Sequence, residues 1–219
     1  MPTATHSDVI AAVQSGDVSA VSSLLGHDPG LASARDSNGV SAVMHAFYSG
    51  QREIAEMLIA AKPELDIFEG TGAGAAETVA KILKRDRGAA KQWSADGFTA
   101  LHFAAFFNRP AIARELIRQG ADIEAIAKNS MKVTPLHSAA AAHAGEIVRL
   151  LLEHGANPNA KQQGGWTPLH ASAQNGDAEM VADLIVHHSD PKATNDEGKT
   201  PADIAAEKGH VDIAAMLSQ

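Results

Sequence analysis

The chain has 219 residues, of which 45% are hydrophobic and only 4% aromatic, and its formal net charge is -8. It has no cysteine, which excludes disulfides, cysteine nucleophiles and zinc sites built on thiolates. Because the negative charge opposes binding to nucleic acid and anionic lipid, and because no signal segment or membrane-length apolar run is found, we expect a cytoplasmic protein without membrane or nucleic-acid partners.

The N-terminal quarter of the chain predicts helices in pairs. Two short amphipathic helices, over residues 8–14 and 18–25, flank a Gly-Asp turn. After a turn at 36–39, Ser41 offers a hydroxyl that can cap the start of a third helix. The helix-turn-helix pattern of the first pair continues at Ala46, Gly50, Ile54, Leu58 and Ile59. This segment therefore predicts two helix-turn-helix units.

The region 66–93 resembles a second copy of the N-terminal unit. When the sequence is aligned with itself so that Asp8 falls on Asp66, eleven positions up to Ile59 coincide with identical residues up to Ile117, without a gap. We infer a duplication and call 8–59 and 66–117 the two copies of the duplicated unit. The duplication placed a segment that resembles the N-terminal unit inside the chain, and it left no room for a turn at 60–65. The glycines of 70–74 lack the lysine and the preceding strand of a phosphate loop, so they predict a helix end.

A six-residue motif recurs through the rest of the chain with a period near 33. It reads Gly-Phe-Thr-Ala-Leu-His at 97–102, Lys-Val-Thr-Pro-Leu-His at 132–137, Gly-Trp-Thr-Pro-Leu-His at 165–170 and Gly-Lys-Thr-Pro-Ala-Asp at 198–203. Threonine suits the N-cap of a helix and proline its first position. A fixed period of this length is typical of a stacked array of repeats.

These motifs resemble the ankyrin-repeat family in Thr-Pro-Leu-His, in Ala-Ala-x-x-Gly and in Gly-Ala-x-x-Asn-Ala, the last at 155–160. The resemblance implies an all-α fold, an ankyrin-repeat solenoid of about seven helix-turn-helix repeats with short β-hairpin fingers before all but the first and third. We expect a single domain over 3–219. Its approximate repeats are 3–35, 36–62, 63–93, 94–128, 129–161, 162–194 and 195–219.

The eleven histidines raise the question of a metal or catalytic site. His102, His137 and His170 recur at one repeat position, so helix packing separates them by about 8 to 10 Å, whereas zinc needs ligands at about 2 Å. We interpret them as imidazoles that bond backbone between repeats. His187 and His188 are interpreted as solvated or as partners of a helix C-terminus. We expect no metal, no cofactor and no catalytic residue.

The resemblance also places the finger tips and the exposed ends of the inner helices on a concave face that usually receives a partner. Five of the nine aromatic residues fall at such positions, which suggests an interface. The predicted partner-binding residues are Tyr48, Asp96, Phe98, Phe106, Phe107, Met131, Val133, Trp166, Gln174 and Asn175. In the alternative interpretation, Phe106 and Phe107 fill a gap at the irregular third repeat and Trp166 covers its neighbouring finger.

The remaining aromatics are assigned to packing, namely Phe47, Phe68 and Phe103, while Trp93 is unassigned. We predict a monomeric, non-catalytic module that binds a protein or peptide on the concave face of repeats two to six. The alternative is a small-molecule-binding or hydrolytic protein with an aromatic cleft near repeats three and four. An open groove favours the first function, and a closed apolar pocket with convergent polar groups favours the second.

Overall fold

The computed structural model describes residues 4–62 and 64–218. Within this part of the chain there are fourteen α-helices and no β-strand. The helices of the first half are α1 His6–Ser15, α2 Val18–His27, α3 Ala42–Tyr48, α4 Arg52–Ala61, α5 Ile67–Ala73, α6 Ala76–Arg85 and α7 Ala100–Phe106. Those of the second half are α8 Pro110–Arg118, α9 Pro135–Ala141, α10 Gly145–Glu153, α11 Pro168–Asn175, α12 Ala178–Val186, α13 Pro201–Glu207 and α14 Val211–Leu217.

The helices pack in two rows. Each odd-numbered helix contacts the next odd-numbered one from α1 to α13, and each also contacts the even-numbered helix that follows it. We call the odd-numbered row inner and the even-numbered row outer. None of the described helices has the length and apolar character needed to cross a membrane. The architecture is a helix-turn-helix solenoid.

The predicted N-caps start the inner helices. The Ser41 hydroxyl accepts from the Met44 amide at 3.3 Å, and the Thr134 hydroxyl accepts from the His137 amide at 3.4 Å. These bonds satisfy amides that have no partner inside the first helical turn. The capping role expected of Ser41, at a repeat that lacks the recurring motif, is therefore confirmed.

Turns stand where five fingers are expected, but no strand forms in the described residues. Isolated antiparallel bridges join Arg35 to Ser41 and Trp93 to Thr99. Backbone bonds also run from one finger to the next, as from the Lys128 amide to the Gly97 carbonyl at 2.8 Å. The fingers thus tie successive repeats together, and their hairpin form stays a prediction.

The two copies of the duplicated unit have closely similar backbones. Gly16 and Gly74 end their inner helices with φ/ψ of 72/22 and 74/21 degrees. The two isolated bridges also fall at corresponding positions of the two copies. The glycines of 70–74 end α5, as predicted. The copies differ at the start of the inner helix. When the two copies are aligned, α5, which is capped by Asp66, begins about one turn later than α1 does.

The hydrophobic core divides between α4 and α5. One group of buried side chains runs from Val9 to Leu58, and the other from Ile67 to Leu217. Between them lies an ion pair in which the Lys62 ammonium is 2.6 and 2.7 Å from the two carboxylate oxygens of Glu69. The Glu69 side chain is fully buried and that of Lys62 is 9% exposed. A buried charge pair therefore lies at the joint before α5, between the two groups of buried side chains.

Candidate binding groove

The inner helices α3, α7 and α9 and the fingers that precede α7, α9 and α11 form a groove with a volume of about 670 Å³. We call it the aromatic groove. Its lining residues are Tyr48, Phe98, His102, Phe103, Phe106, Met131, Val133, His137, Ser138, Ala141, Gln162, Gln163 and Gly164. The lining is predominantly apolar, with polar groups contributed mainly by two histidines and two glutamines.

The groove has exposed walls and a buried floor. Tyr48, Phe106 and Met131 keep 41%, 50% and 46% of their surface exposed. Phe103 is buried beneath them, with its ring centroid 5.6 Å from that of Phe98 and 6.2 Å from that of Tyr48. Because large apolar side chains on the walls are reached by solvent, the site is an open groove rather than a closed cavity.

The Tyr48 hydroxyl is fixed at one edge of the groove. It donates to Oδ2 of Asp96, and the Ser94 hydroxyl donates to the other carboxylate oxygen. Burial of the hydroxyl end, together with this carboxylate, raises the pKa of Tyr48. The phenol therefore stays neutral and acts as a hydrogen-bond donor, and Asp96 positions Tyr48.

We call His102, His137 and His170, which recur at one repeat position, the ladder histidines, and the first two of them lie at the groove. Nε2 of His102 donates to the Val133 carbonyl at 3.0 Å, while Nδ1 accepts from the Thr99 amide at 3.2 Å. Nε2 of His137 makes the corresponding bond to the Trp166 carbonyl at 3.2 Å. The interpretation of these imidazoles as backbone-bonding groups between repeats is confirmed.

The ladder histidines are neutral. Burial lowers the pKa of His102 and of His137 to about 4, and it also lowers the pKa of His170. Both nitrogens of each ring are engaged, so neither can take a proton from Ser138 without losing a backbone bond. The described residues also contain no cluster of three side chains suited to holding a metal ion.

Half of the predicted partner-binding residues meet in the groove, namely Tyr48, Phe98, Phe106, Met131 and Val133. The other half lie elsewhere. Asp96 stands behind Tyr48, and Trp166 packs on His170 with ring centroids 5.6 Å apart. Gln174 is exposed on α11, whereas the Asn175 amide donates to the Ala140 carbonyl at 3.1 Å. A partner-binding role for these residues stays a prediction.

Phe107 packs behind the groove. Its ring centroid lies 5.6 Å from that of Phe47 and 5.2 Å from that of Phe106, and both Phe47 and Phe107 border a second cleft. The packing alternative therefore fits Phe107, while Phe106 is half exposed. Phe107 supports the groove wall from behind.

Phe103 is the groove residue that sequence reasoning assigned only to packing. It packs against Phe68, with centroids 5.9 Å apart, and also forms the groove floor. Its spacing of three residues from Phe106 places both on one helix face, which is a signal that could have identified it. The unassigned Trp93 lies outside the groove lining, with the Lys128 ammonium 4.3 Å from its ring centroid.

The comparison with known families gives one match. A model described as ankyrin repeats (3 copies) matches residues 71–162 and 157–219. These ranges include α7 to α14 and all four copies of the recurring motif. They leave out the first copy of the duplicated unit. No curated protein matches the chain.

Proposed function

The chain belongs to the ankyrin-repeat family, and on that basis we propose that it is a non-catalytic interaction module that binds a protein segment in the aromatic groove. Ankyrin repeats generally act as protein-interaction modules, and stacked repeats build extended concave surfaces for this purpose. The same proposal has the module acting as a monomer. A cytoplasmic location is part of the same proposal.

The observation that carries this proposal is the convergence of exposed apolar side chains. Tyr48, Phe106 and Met131 come from three different helix pairs or fingers, yet they border one groove. A large aromatic side chain offers roughly 150 to 250 Å² of surface, and burial is worth about 25 cal/mol per Å². Partial burial of one ring would therefore contribute about 2 kcal/mol to binding.

The groove favours a segment that inserts apolar side chains. The imidazoles of His102 and His137 are already bonded to backbone, which leaves the Gln162 and Gln163 amides as the main polar groups of the lining. Such neutral amides suit the main chain of a bound peptide, which presents both donors and acceptors. We therefore expect an extended segment with closely spaced aliphatic or aromatic residues.

The volume of the groove also suits a small molecule, since ligand pockets are usually about 300 to 1,000 Å³. A pocket of that class has polar groups placed to fix the orientation of the ligand. Here Nε2 of each histidine donates to a backbone carbonyl, Nδ1 accepts from a threonine amide, and the walls are solvated, which favours the protein segment. A hydrolase is disfavoured for the same reason, because Ser138 has no available base.

The test is selection from a random peptide library on the intact protein, followed by affinity measurement of the selected peptides. We expect them to share apolar residues and to bind Phe106→Ala about 30-fold more weakly, which corresponds to about 2 kcal/mol. Trp166→Ala serves as the matched aromatic change outside the groove lining, and a smaller effect is expected there. Circular dichroism checks that both variants fold.

Leu151→Ala provides the stability control, because this fully buried side chain lies away from the groove and its loss should cost about 2 to 5 kcal/mol. If a folded Phe106→Ala variant still bound the selected peptides with unchanged affinity, the interface would lie outside the groove. A variant that unfolds like Leu151→Ala would make Phe106 a core residue. Selective enrichment of a small apolar compound, without any peptide, would support the second candidate function.

A further inference from the structure

A strip of positive charge covers the outer side of the third helix pair. Residues 76–91 hold five lysines and arginines and two carboxylates, a net charge of +3 in a chain whose total is -8. The five cations are all exposed, on α6 and on the 3₁₀ helix Arg87–Lys91 that follows it. We call them the cationic strip, which consists of Lys81, Lys84, Arg85, Arg87 and Lys91.

Among the described residues, the cations of the strip are unpaired, whereas the arginines of the outer helices α8 and α10 are paired. Within residues 4–62 and 64–218, none of the five forms a salt bridge. By contrast, Arg114 is 3.1 Å from Glu146, Arg118 is 2.7 Å from Glu115, and Arg149 pairs with two carboxylates of α12. The positive charge of the strip is therefore available to another molecule.

The first copy of the duplicated unit shows that the fold does not require this charge. It forms the same elements, α2 followed by the 3₁₀ helix Pro29–Ser33, and Asp28 and Asp86 join them with φ/ψ of -146/99 and -142/101 degrees. The residues that correspond to the strip are Ser23, Gly26, His27, Pro29 and Ser33. Each of the five cations thus stands where the first copy has no lysine or arginine, so the cations serve something other than folding.

An open cleft of about 420 Å³ lies beside the strip. It lies at the joint before α5. Its apolar lining consists of Leu65, Ile67, Ile82 and Ala89, and Arg85 borders it from the strip. Three carboxylates also line it: Asp66 caps α5 and pairs with Arg35, Asp86 caps the 3₁₀ helix, and Glu64 is exposed. The cleft can therefore take an aliphatic side chain next to free positive charge.

We propose that the cationic strip is a second docking surface, which binds an acidic protein segment carrying an aliphatic residue. Lys81, Lys84 and Arg85 share one face of α6, so carboxylates along one side of a segment can reach them. The rest of the chain has a net charge of -11, obtained by removing the +3 of residues 76–91 from the total of -8. A long polyanion such as nucleic acid would run onto this acidic surface, whereas a short segment stays on the strip.

The experiment uses the intact protein and a fluorescein-labelled peptide of glutamate and aspartate with one central leucine. The strip variant Lys81→Ser, Lys84→Gln and Lys91→Ser removes three free cations. At Lys81 and Lys91 it introduces the serine that the first copy has at the corresponding position. A control variant removes three paired cations with the same change in net charge, through Arg114→Gln, Arg118→Gln and Arg149→Gln. Circular dichroism checks folding, and a variant with arginine at the three strip lysines keeps the charge.

We expect the acidic peptide to bind the protein with an affinity that falls as salt rises. The strip variant should bind at least tenfold more weakly, and the control and all-arginine variants should bind within twofold of the original. Replacing the leucine of the peptide by serine should also weaken binding, whereas Phe106→Ala should not. This last result separates the strip from the aromatic groove.

Equal losses in the strip and control variants would reduce the effect to bulk charge and overturn the proposal. Unchanged binding by a folded strip variant would overturn it as well. A loss in the all-arginine variant would show that the lysines act through structure rather than charge. An oligothymidylate or a phosphatidylserine vesicle that binds more tightly through the same three lysines would replace the protein segment by nucleic acid or lipid.

Discussion

Replacing Gly72 with alanine tests how tightly the aromatic side chains pack behind the groove. A Cβ atom at this position would lie 2.7 Å from Cδ2 of Phe47, 2.9 Å from Cε2 of the same ring and 3.6 Å from Cε2 of Phe107. Carbon atoms attract each other best at about 3.5 to 4.0 Å. The Phe47 ring would therefore have to move by about 1 Å to reach that separation, although it is held against Phe107.

The Gly72→Ala change has two effects of opposite sign on the free energy of unfolding. Alanine in place of glycine inside a helix normally stabilises a protein by about 1 kcal/mol. Overpacking a filled site costs about 1 to 3 kcal/mol. The contacts of 2.7 and 2.9 Å are with ring atoms of Phe47, not with the tip of a flexible chain, so overpacking should win. We expect a net loss of about 1 to 2 kcal/mol in the free energy of unfolding.

Gly26→Ala is the matched control, because Gly26 also occupies the last but one position of its helix and a Cβ atom there would have no neighbour within 4 Å. This change should stabilise the protein by up to about 1 kcal/mol. Urea unfolding followed by circular dichroism measures both variants. A second step combines Gly72→Ala with Phe47→Leu, which removes the clashing ring atoms and should recover part of the loss.

The reasoning fails if Gly72→Ala stabilises the protein as much as Gly26→Ala does, because the ring would then move without cost. It also fails if Phe47→Leu adds its own destabilisation in full to that of Gly72→Ala. The expected result has a functional side, since Phe107 contacts Phe106 as well as Phe47. Peptides selected on the groove should therefore bind Gly72→Ala more weakly than Gly26→Ala.

Three further predictions concern stability. His102 and His137 have a pKa of about 4 in the folded state, against 6.5 in the unfolded state. Because the unfolded chain binds more protons between these two values, the free energy of unfolding should fall as pH drops from 6.5 to 4. The loss should reach about 2 kcal/mol per imidazole at pH 5. Urea midpoints that do not change from pH 7 to pH 5 would contradict this. Lys62→Met leaves the fully buried Glu69 carboxylate unpaired and should cost about 3 to 5 kcal/mol, much of it recovered by adding Glu69→Leu; a double variant no more stable than the single one would argue against it. Amides of α5 and α6 should exchange with deuterium faster than those of α9 to α12, because the two groups of buried side chains separate at the joint before α5, and equal protection would count against a weak joint.

The features predictable from the sequence are those fixed within one repeat and then recurring. A threonine followed three residues later by histidine specifies the cap and places Nδ1 on the Thr99 amide, and the next finger brings the Val133 carbonyl to Nε2. The same period located the helix pairs and the turns. Each of these contacts depends on short spacings, so a reading of the sequence alone could find them.

The side chains that meet at the irregular joint could not be assigned from spacing. Whether Phe107 faces the groove or packs behind it depends on Gly72, whose missing side chain admits the Phe47 ring. The Lys62–Glu69 pair likewise lies between the two groups of buried side chains, a contact that the sequence spacing does not specify. Trp166 precedes α11 and packs against His170 of that helix, a side-chain orientation that its place in the motif does not specify.

The isolated bridges lie at equivalent positions of the two copies of the duplicated unit. A deletion of one whole copy would therefore join positions that are equivalent in the two copies. A chain that passed directly from residue 7 to residue 66 would keep its reading frame, its helix register and a capped inner helix at the new junction, because Asp66 already caps α5. Recombination between the two copies can thus shorten or lengthen the array by a complete pair of repeats. Proteins that differ by one such block are the length variants that this architecture would allow evolution to sample.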